Sequence, residues 1–259
     1  SCFCNHFNMK KNKFISIFFD NLKTLTIALI IAILIRSLII QPFYIPSSSM
    51  EPTLLVGDRI FVSKYSYGYS KHSFPFSPNI SNERFFFKSP KRGDLVVFKT
   101  PADNRTDYIK RLIGMPGDTI QFIDGKLLIN GQNTLREKIN SKIIIRCGSF
   151  FLETNSYIET LPNGLQHTVA YKKRGSLKNS KKFKVPPEHY FLMGDNRDCS
   201  KDSRYLDDVG YVNNLNLVGK AQIIFFSNDT KNGSLIEFWN LQNSFRFDRT
   251  FLKLNDKIN

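Results

Sequence analysis

Residues 22–40, LKTLTIALIIAILIRSLII, form a nearly continuous apolar run, and no other feature restricts the fold so strongly. As a helix rising about 1.5 Å per residue, such a run spans roughly the 30 Å hydrocarbon core of a bilayer. Its one charge, Arg36, lies near the C-terminal end, where a long side chain can reach the interface. Lys10, Lys11 and Lys13 precede the run. The positive-inside rule therefore places residues 1–21 in the cytoplasm and everything after Pro42 outside. A cleaved secretory signal would need a shorter apolar core and small residues at a cleavage site. Gln41-Pro42-Phe43-Tyr44 offers no such pattern, so the run reads as an uncleaved single-pass anchor. Met9 can serve as an initiator, leaving residues 1–8 as a start-site artefact or a short cytoplasmic tail.

The net charge of +15 bears on partners. Residues 1–41 hold Lys10, Lys11, Lys13, Lys23 and Arg36 against Asp20, which is +4, leaving +11 for the remainder. Such a balance suits nucleic acid or an anionic lipid surface. No nucleic-acid motif is present, so the lipid surface is the better reading and no nucleic-acid partner is expected. With 41% apolar and 23% charged residues, the chain can bury a core and is not a disordered segment. Cys2, Cys4, Cys147 and Cys199 contain no CxxC pair, which leaves a zinc site unsupported. A Cys147–Cys199 disulfide in an oxidising compartment and two free, partly buried thiols both fit the sequence.

Beyond the anchor the helical period disappears. Short β-rich runs appear at 59–64, 94–99, 108–113, 119–123 and 126–130, the last two flanking an Asp124-Gly125 turn. Further runs lie at 143–146, 150–153, 166–172, 183–185, 190–193 and 218–226. In 108–113 the alternation puts Ile109, Arg111 and Ile113 on one face and Lys110 on the other. The expected fold is mainly β: an N-terminal transmembrane helix, then coiled sheets or a barrel-like domain. Two Phe-rich stretches, 74–76 and 85–87, fit either core packing or dipping into the bilayer surface.

Three segments carry chemistry: Pro46-Ser47-Ser48-Ser49-Met50-Glu51-Pro52-Thr53, Asp107 to Asp118 around Lys110, and Gly194 to Arg204. Each alone has an ordinary reading as a linker, a strand with a solvated lysine, and a polar turn. Together, and in this order behind an anchor, they resemble bacterial type I signal peptidase, the leader peptidase family. Ser47-Ser48-Ser49-Met50-Glu51-Pro52-Thr53 resembles that family's nucleophile box, and Arg92 to Phe98 its core strand. Tyr108-Ile109-Lys110-Arg111 resembles its lysine box, and Gly194 to Arg204 its last box. The resemblance covers about 42–118 and 189–226. Residues 119–188 carry no recognised motif and look like a variable inserted β subdomain between the two parts of a catalytic domain, 42–118 and 189–259. Cys199 departs from the polar residue expected there, and the loop after Arg204 is slightly long.

The resemblance implies a membrane-bound serine endopeptidase that removes signal peptides from exported preproteins on the outer face of the bacterial plasma membrane. A serine hydroxyl is a weak nucleophile and needs a neighbouring base. A lysine can serve only if burial keeps it neutral. Ser49 would be the nucleophile and Lys110 the base, with Ser200 orienting the Lys110 amine. The Ser49 N–H and the Ser47 hydroxyl would form the oxyanion hole. Asp202 and Arg204 would form an ion pair behind the site, with Asp195 in support. Ile45 and Ile109 would line subsites for small side chains at −1 and −3, and the peptide would add as a strand. No metal or other cofactor is implied, and the export machinery is a further partner. Rival motifs are lacking: there is no G-x-S-x-G, no H-E-x-x-H and no S-x-x-K, and His6, His72, His167 and His189 lie in no motif. A self-cleaving Ser/Lys regulator would carry a DNA-binding domain in place of the anchor. An anchored binding protein with an inert dyad is the non-enzyme alternative.

Overall fold

The computed structural model describes residues 2–74, 77–78, 83–229 and 245–254, and only the backbone for 2–16. One long helix, α1 (Cys2–Leu38), leads into a β-rich body. Within α1, Ile17–Leu38 is long and apolar enough to cross a membrane, and every side chain in it except Ser37 is exposed. The helix ends two residues before the expected 40. Ile39 and Ile40 are β-branched and stand just before Pro42, a context that favours extended backbone over helix. Ile40 accordingly opens a strand that the periodicity of the run had concealed.

The strands are β1 (Ile40–Tyr44), β2 (Asp58–Ser63), β3 (Leu95–Lys99), β4 (Asp107–Gly114), β5 (Thr119–Ile123), β6 (Lys126–Ile129), β7 (Gln132–Asn133) and β8 (Leu135–Lys138). They continue as β9 (Ile143–Cys147), β10 (Phe150–Thr160), β11 (Gln166–Lys172), β12 (Phe183–Lys184), β13 (His189–Met193), β14 (Val212–Asn213), β15 (Leu217–Ser227) and β16 (Leu252–Lys253). Among the described residues they form three sheets. The main sheet runs β1-β2-β15-β3-β4-β13-β14, with β16 on β15, and every strand pair in it is antiparallel. The chain is mainly β, as the sequence implies.

Two features of the main sheet set up the site. β1 is a terminal strand, paired only with β2 among the described residues. β4 pairs along its whole length with β3, but β13 joins its other edge only from Arg111 onward. The Asp107–Lys110 half of β4 therefore keeps one edge without a strand neighbour among the described residues.

The inserted segment makes the other two sheets: β12-β5-β6-β7, and β8, β10 and β11 with β9 on β10. It shares its apolar core with the main sheet, since Ile120, Phe122, Leu127 and Val169 pack with Ile113, Phe191 and Met193. The main sheet buries two further clusters, one around Ile60, Val62 and Leu95, the other around Phe98, Leu112 and Leu192. Cys147 at the end of β9 is bonded to Cys199, which resolves the choice between disulfide and free thiols and ties the insert to the last box. Phe85, Phe86 and Phe87 are 53%, 83% and 43% exposed, so this stretch is not core packing. Of 74–76, only the half-buried Phe74 lies within the described residues.

Candidate active site

The loop between β1 and β2 carries the three serines. Glu51 N–H donates to the Ser48 carbonyl at 3.0 Å and Leu54 N–H to the Met50 carbonyl at 2.9 Å, so the loop coils tightly. Met50 and Leu54 anchor it in the core. Asn196 holds it from the opposite side: its side-chain amide donates to the Ser48 carbonyl at 3.0 Å and its N–H to the Ser49 carbonyl at 3.2 Å. Thr53 Oγ1 donates to Asp195 at 2.6 Å. These bonds place the nucleophile box against the last box, about 150 residues away in the chain.

Lys110 projects from β4 to the same point. Its Nζ lies 2.7 Å from Ser49 Oγ and 3.0 Å from the Ile109 carbonyl, and it sits 5.1 Å from the centre of the Tyr108 ring. Lys110 is 3% exposed. Burial pulls its pKa down to about 8, against an opposing pull from Asp202 and Asp195. A lysine so placed has an accessible neutral form near neutral pH, which an exposed lysine lacks. Ser47 Oγ lies 3.3 Å from Ser49 Oγ and is exposed on the open side. Ser48, by contrast, is buried.

Asp202 and Arg204 pair at 2.8 Å, and the Asp202 carboxylate also accepts the Gly194 N–H at 2.9 Å. Burial alone would raise the Asp202 pKa, but Arg204, the Gly194 N–H and Lys110 outweigh it and hold the carboxyl below its usual range. Ser200 is brought to the site, buried against Gly194, where a Cβ would fall 2.3 Å from its Oγ. The expected Ser200–Lys110 hydrogen bond is not made here: Ser200 Oγ has no partner among the described residues. The Lys110 amine instead meets Ser49 Oγ and the Ile109 carbonyl.

Two buried ion pairs back the site, and the insert residues around them left no motif signal. Arg111, next to Lys110, grips Asp195 through two hydrogen bonds of 2.8 and 2.6 Å, both residues being buried. Arg197 makes a second buried pair with Glu159 and donates to the Tyr171 hydroxyl oxygen at 2.9 Å. His167 lies between the pairs, 3.5 Å from Glu159 and 3.8 Å from Asp195. Burial and the nearby Arg111 push its pKa down to about 3, so it is a neutral packing residue, not a base. Glu159, His167 and Tyr171 all come from the insert. Arg111 and Asp195 both lie in segments singled out in the sequence, and alternation in β4 placed Arg111 opposite Lys110, but nothing there paired the two.

A cleft of about 580 Å³ opens beside Ser49, lined by Tyr44, Ile45, Tyr108, Ile109 and Arg146 among others. Phe43 and Tyr44 of β1 and Asp107 to Lys110 of β4 line it, each segment having one edge without a strand neighbour among the described residues. Both Ile45 and Ile109, the expected subsite residues, face it, though Ile45 is also part of the core.

The sequence model of the family "Signal peptidase, peptidase S26" matches residues 18–226. The chain belongs to this family. A signal peptidase I of Rickettsia typhi is 42% identical over 234 residues, which is 86% of this chain and 84% of that protein. A signal peptidase I of Rickettsia conorii is 44% identical over 209 residues, 76% of this chain and 75% of that one. A crystal structure of a signal peptidase I from Enterococcus faecalis is 29% identical, with a TM-score of 0.31, and covers 51% of this chain and 97% of the other. All three segments singled out in the sequence fall inside the matched range.

Proposed function

We propose that this chain is a membrane-anchored serine endopeptidase that removes N-terminal signal peptides from exported preproteins, with Ser49 as nucleophile and Lys110 as general base. The observation that carries this reading is the 2.7 Å contact between a buried lysine amine and a serine hydroxyl in a member of the S26 family. A preprotein segment enters the cleft as an added strand between β1 and β4, whose free backbone groups suit strand addition. Ile45 and Ile109 narrow the subsites and favour small side chains at −1 and −3. Ser49 Oγ attacks the scissile carbonyl carbon and passes its proton to Lys110 Nζ. The Ser49 N–H and Ser47 hydroxyl hold the developing oxyanion. As the intermediate collapses, the C–N bond breaks and Lys110 returns the proton to the leaving amine. Water, activated by the same amine, then releases the signal peptide from Ser49.

The span Ile17–Leu38 holds the enzyme in the bacterial plasma membrane, N-terminus inside and catalytic domain outside, where cleavage sites emerge from the export machinery. The exposed Phe85–Phe87 stretch rests on the bilayer surface. The deciding experiment incubates the detergent-solubilised full chain with a preprotein. Wild type is expected to yield the mature protein and the Ser49→Ala and Lys110→Ala variants none. Undiminished cleavage by either variant overturns the dyad.

A further inference from the structure

A second cavity, of about 560 Å³, lies where the anchor helix meets the β domain. Arg36 from the last turn of α1, Lys64, Lys71, Lys99 and Arg105 line it. The acidic side chains at its wall are already engaged. Asp107 pairs with Lys99 at 2.9 Å. Asp103 accepts from Thr100 Oγ1 at 2.6 Å, from the N–H groups of Arg105 and Thr106, and from Thr106 Oγ1. Arg36, Lys64, Lys71 and Arg105 make no ion pair among the described residues.

Lys64 is the informative member. It is 2% exposed, and its amine donates to the Ser73 carbonyl. A buried ammonium is costly, and the nearby Asp107 that favours its charge is already paired with Lys99, so the fold keeps the charge only if a further anion compensates it or if the amine gives up its proton. Burial and the facing Arg36 already pull its pKa down to about 8. His72, also in the wall, adds no charge: burial beside Lys71 lowers its pKa to about 4, and it bonds to Ser77.

The location selects the anion. Counted from Ile17 to Leu38, α1 rises about 33 Å, close to a bilayer's hydrocarbon thickness. Arg36 therefore stands at the headgroup layer, and the cavity opens beside it. We propose that this basic cavity binds the phosphate of an anionic phospholipid where the anchor leaves the bilayer. Arg36, Lys71 and Arg105 reach the phosphate from the rim and Lys64 from the floor. Phe43 and Asp107 line both this cavity and the substrate cleft, so a bound lipid sets the cleft at the membrane surface. The proposal rests on the anchored reading but not on proteolysis, and its test reads lipid directly.

The full-length chain in mild detergent is titrated with phosphatidylglycerol or phosphatidylcholine, and retained lipid is counted by native mass spectrometry. Wild type is expected to retain one phosphatidylglycerol and no phosphatidylcholine. Lys71→Gln/Arg105→Gln should weaken retention roughly thirtyfold, about one order of magnitude or less per cation at a headgroup. Arg174→Gln/Lys182→Gln, which removes the same charge from a distant exposed loop, should leave it unchanged. Equal weakening in both double variants, or equal retention of the two lipids, overturns the proposal. Displacement of phosphatidylglycerol by modest inorganic phosphate makes this a free-phosphate site and overturns the lipid assignment. Carbonate extraction of the same variants from membranes reports on the anchor separately.

Discussion

Gly194 and Ser200 are in such close contact that a Cβ on the glycine would fall 2.3 Å from Ser200 Oγ and 2.4 Å from the Ser49 carbonyl oxygen. The nucleophile loop and the last box meet here with no space for a methyl group. Gly194→Ala must push Ser49 or Ser200 aside, and a sub-ångström displacement of a nucleophile is expensive in rate. We expect a loss of kcat on the order of 10²-fold with KM nearly unchanged. Wild-type kcat in Gly194→Ala would show that the dyad tolerates movement. Ser200→Ala separates positioning from packing: its hydroxyl is buried without a partner, so its loss should not lower the melting temperature. If Ser200 orients Lys110 during turnover, kcat falls and the pH profile moves. An unchanged profile denies it that role.

In the proposed dyad, Lys110 sets the pH behaviour. Its pKa of about 8 predicts that kcat/KM rises with pH through that value as the amine becomes neutral. The same depression is a stability statement with a definite sign. Between about pH 8 and the ordinary lysine value of 10.5, the unfolded chain binds a proton that the folded chain does not. Stability therefore falls as pH drops through that window and levels off below it. Lys110→Met should abolish cleavage yet remove this penalty, which is on the order of 3 kcal/mol. Lys110→Arg should be inactive, because guanidinium stays protonated. A pH–rate limb that survives in a cleaving Lys110→Arg variant would refute the assignment.

Ser47 and Ser48 are neighbours with opposite surroundings. Ser47 Oγ is 3.3 Å from Ser49 Oγ on the open side of the site, while Ser48 is buried. Ser47→Ala should lower kcat about 10²–10³-fold, the usual effect of a lost oxyanion donor, with little change in KM. Ser48→Ala should be far milder in kcat. Equal losses in kcat would move the oxyanion donor away from Ser47.

The parts of this site that were legible in the sequence are those with local patterns. Ser49, Lys110 and the Asp202–Arg204 pair lie in short motifs, and alternation along β4 separates Lys110 from Arg111. The illegible parts depend on contacts between distant segments. Glu159 and His167 come from an insert without motifs, and only folding brings them to Arg197 and Asp195. Unpaired sheet edges are likewise invisible, since they depend on which strands fail to meet. The strand at Ile40–Tyr44 was hidden because its first residue continues the apolar run of the helix and its half-exposed residues show no clear alternation.

The Arg111–Asp195 pair should be sensitive to single but not to paired substitution. Both side chains are buried and joined by two hydrogen bonds, and Asp195 also takes the Thr53 hydroxyl. Burial alone would raise the Asp195 pKa, but Arg111 outweighs it and keeps the carboxyl ionised and low. Arg111→Met leaves that charge without its cation and should cost about 3–5 kcal/mol. Arg111→Met/Asp195→Leu should recover much of this in urea unfolding. Additive losses in the double variant would show that the two residues act independently.

Cys147 and Cys199 link the insert to the residue next to Ser200, and Cys199 itself lines the cleft beside Ser49. A bond closing a 52-residue separation restrains the unfolded chain by about 4 kcal/mol in the chain-entropy treatment. It also requires an oxidising compartment, so it tests topology as well as stability. Protein extracted from membranes under alkylating conditions should show neither Cys147 nor Cys199 labelled. Reduction should lower the melting temperature and, by freeing the Ser200 segment, also lower kcat. Cys147→Ser/Cys199→Ser should reproduce both effects without reductant. The redox compartment can be read independently: protease added outside sealed cells should digest the chain beyond about residue 42 and spare the N-terminal tail. A protected catalytic domain with both thiols labelled would place it inside, away from emerging cleavage sites, and would overturn the orientation that the Lys10, Lys11 and Lys13 cluster implies.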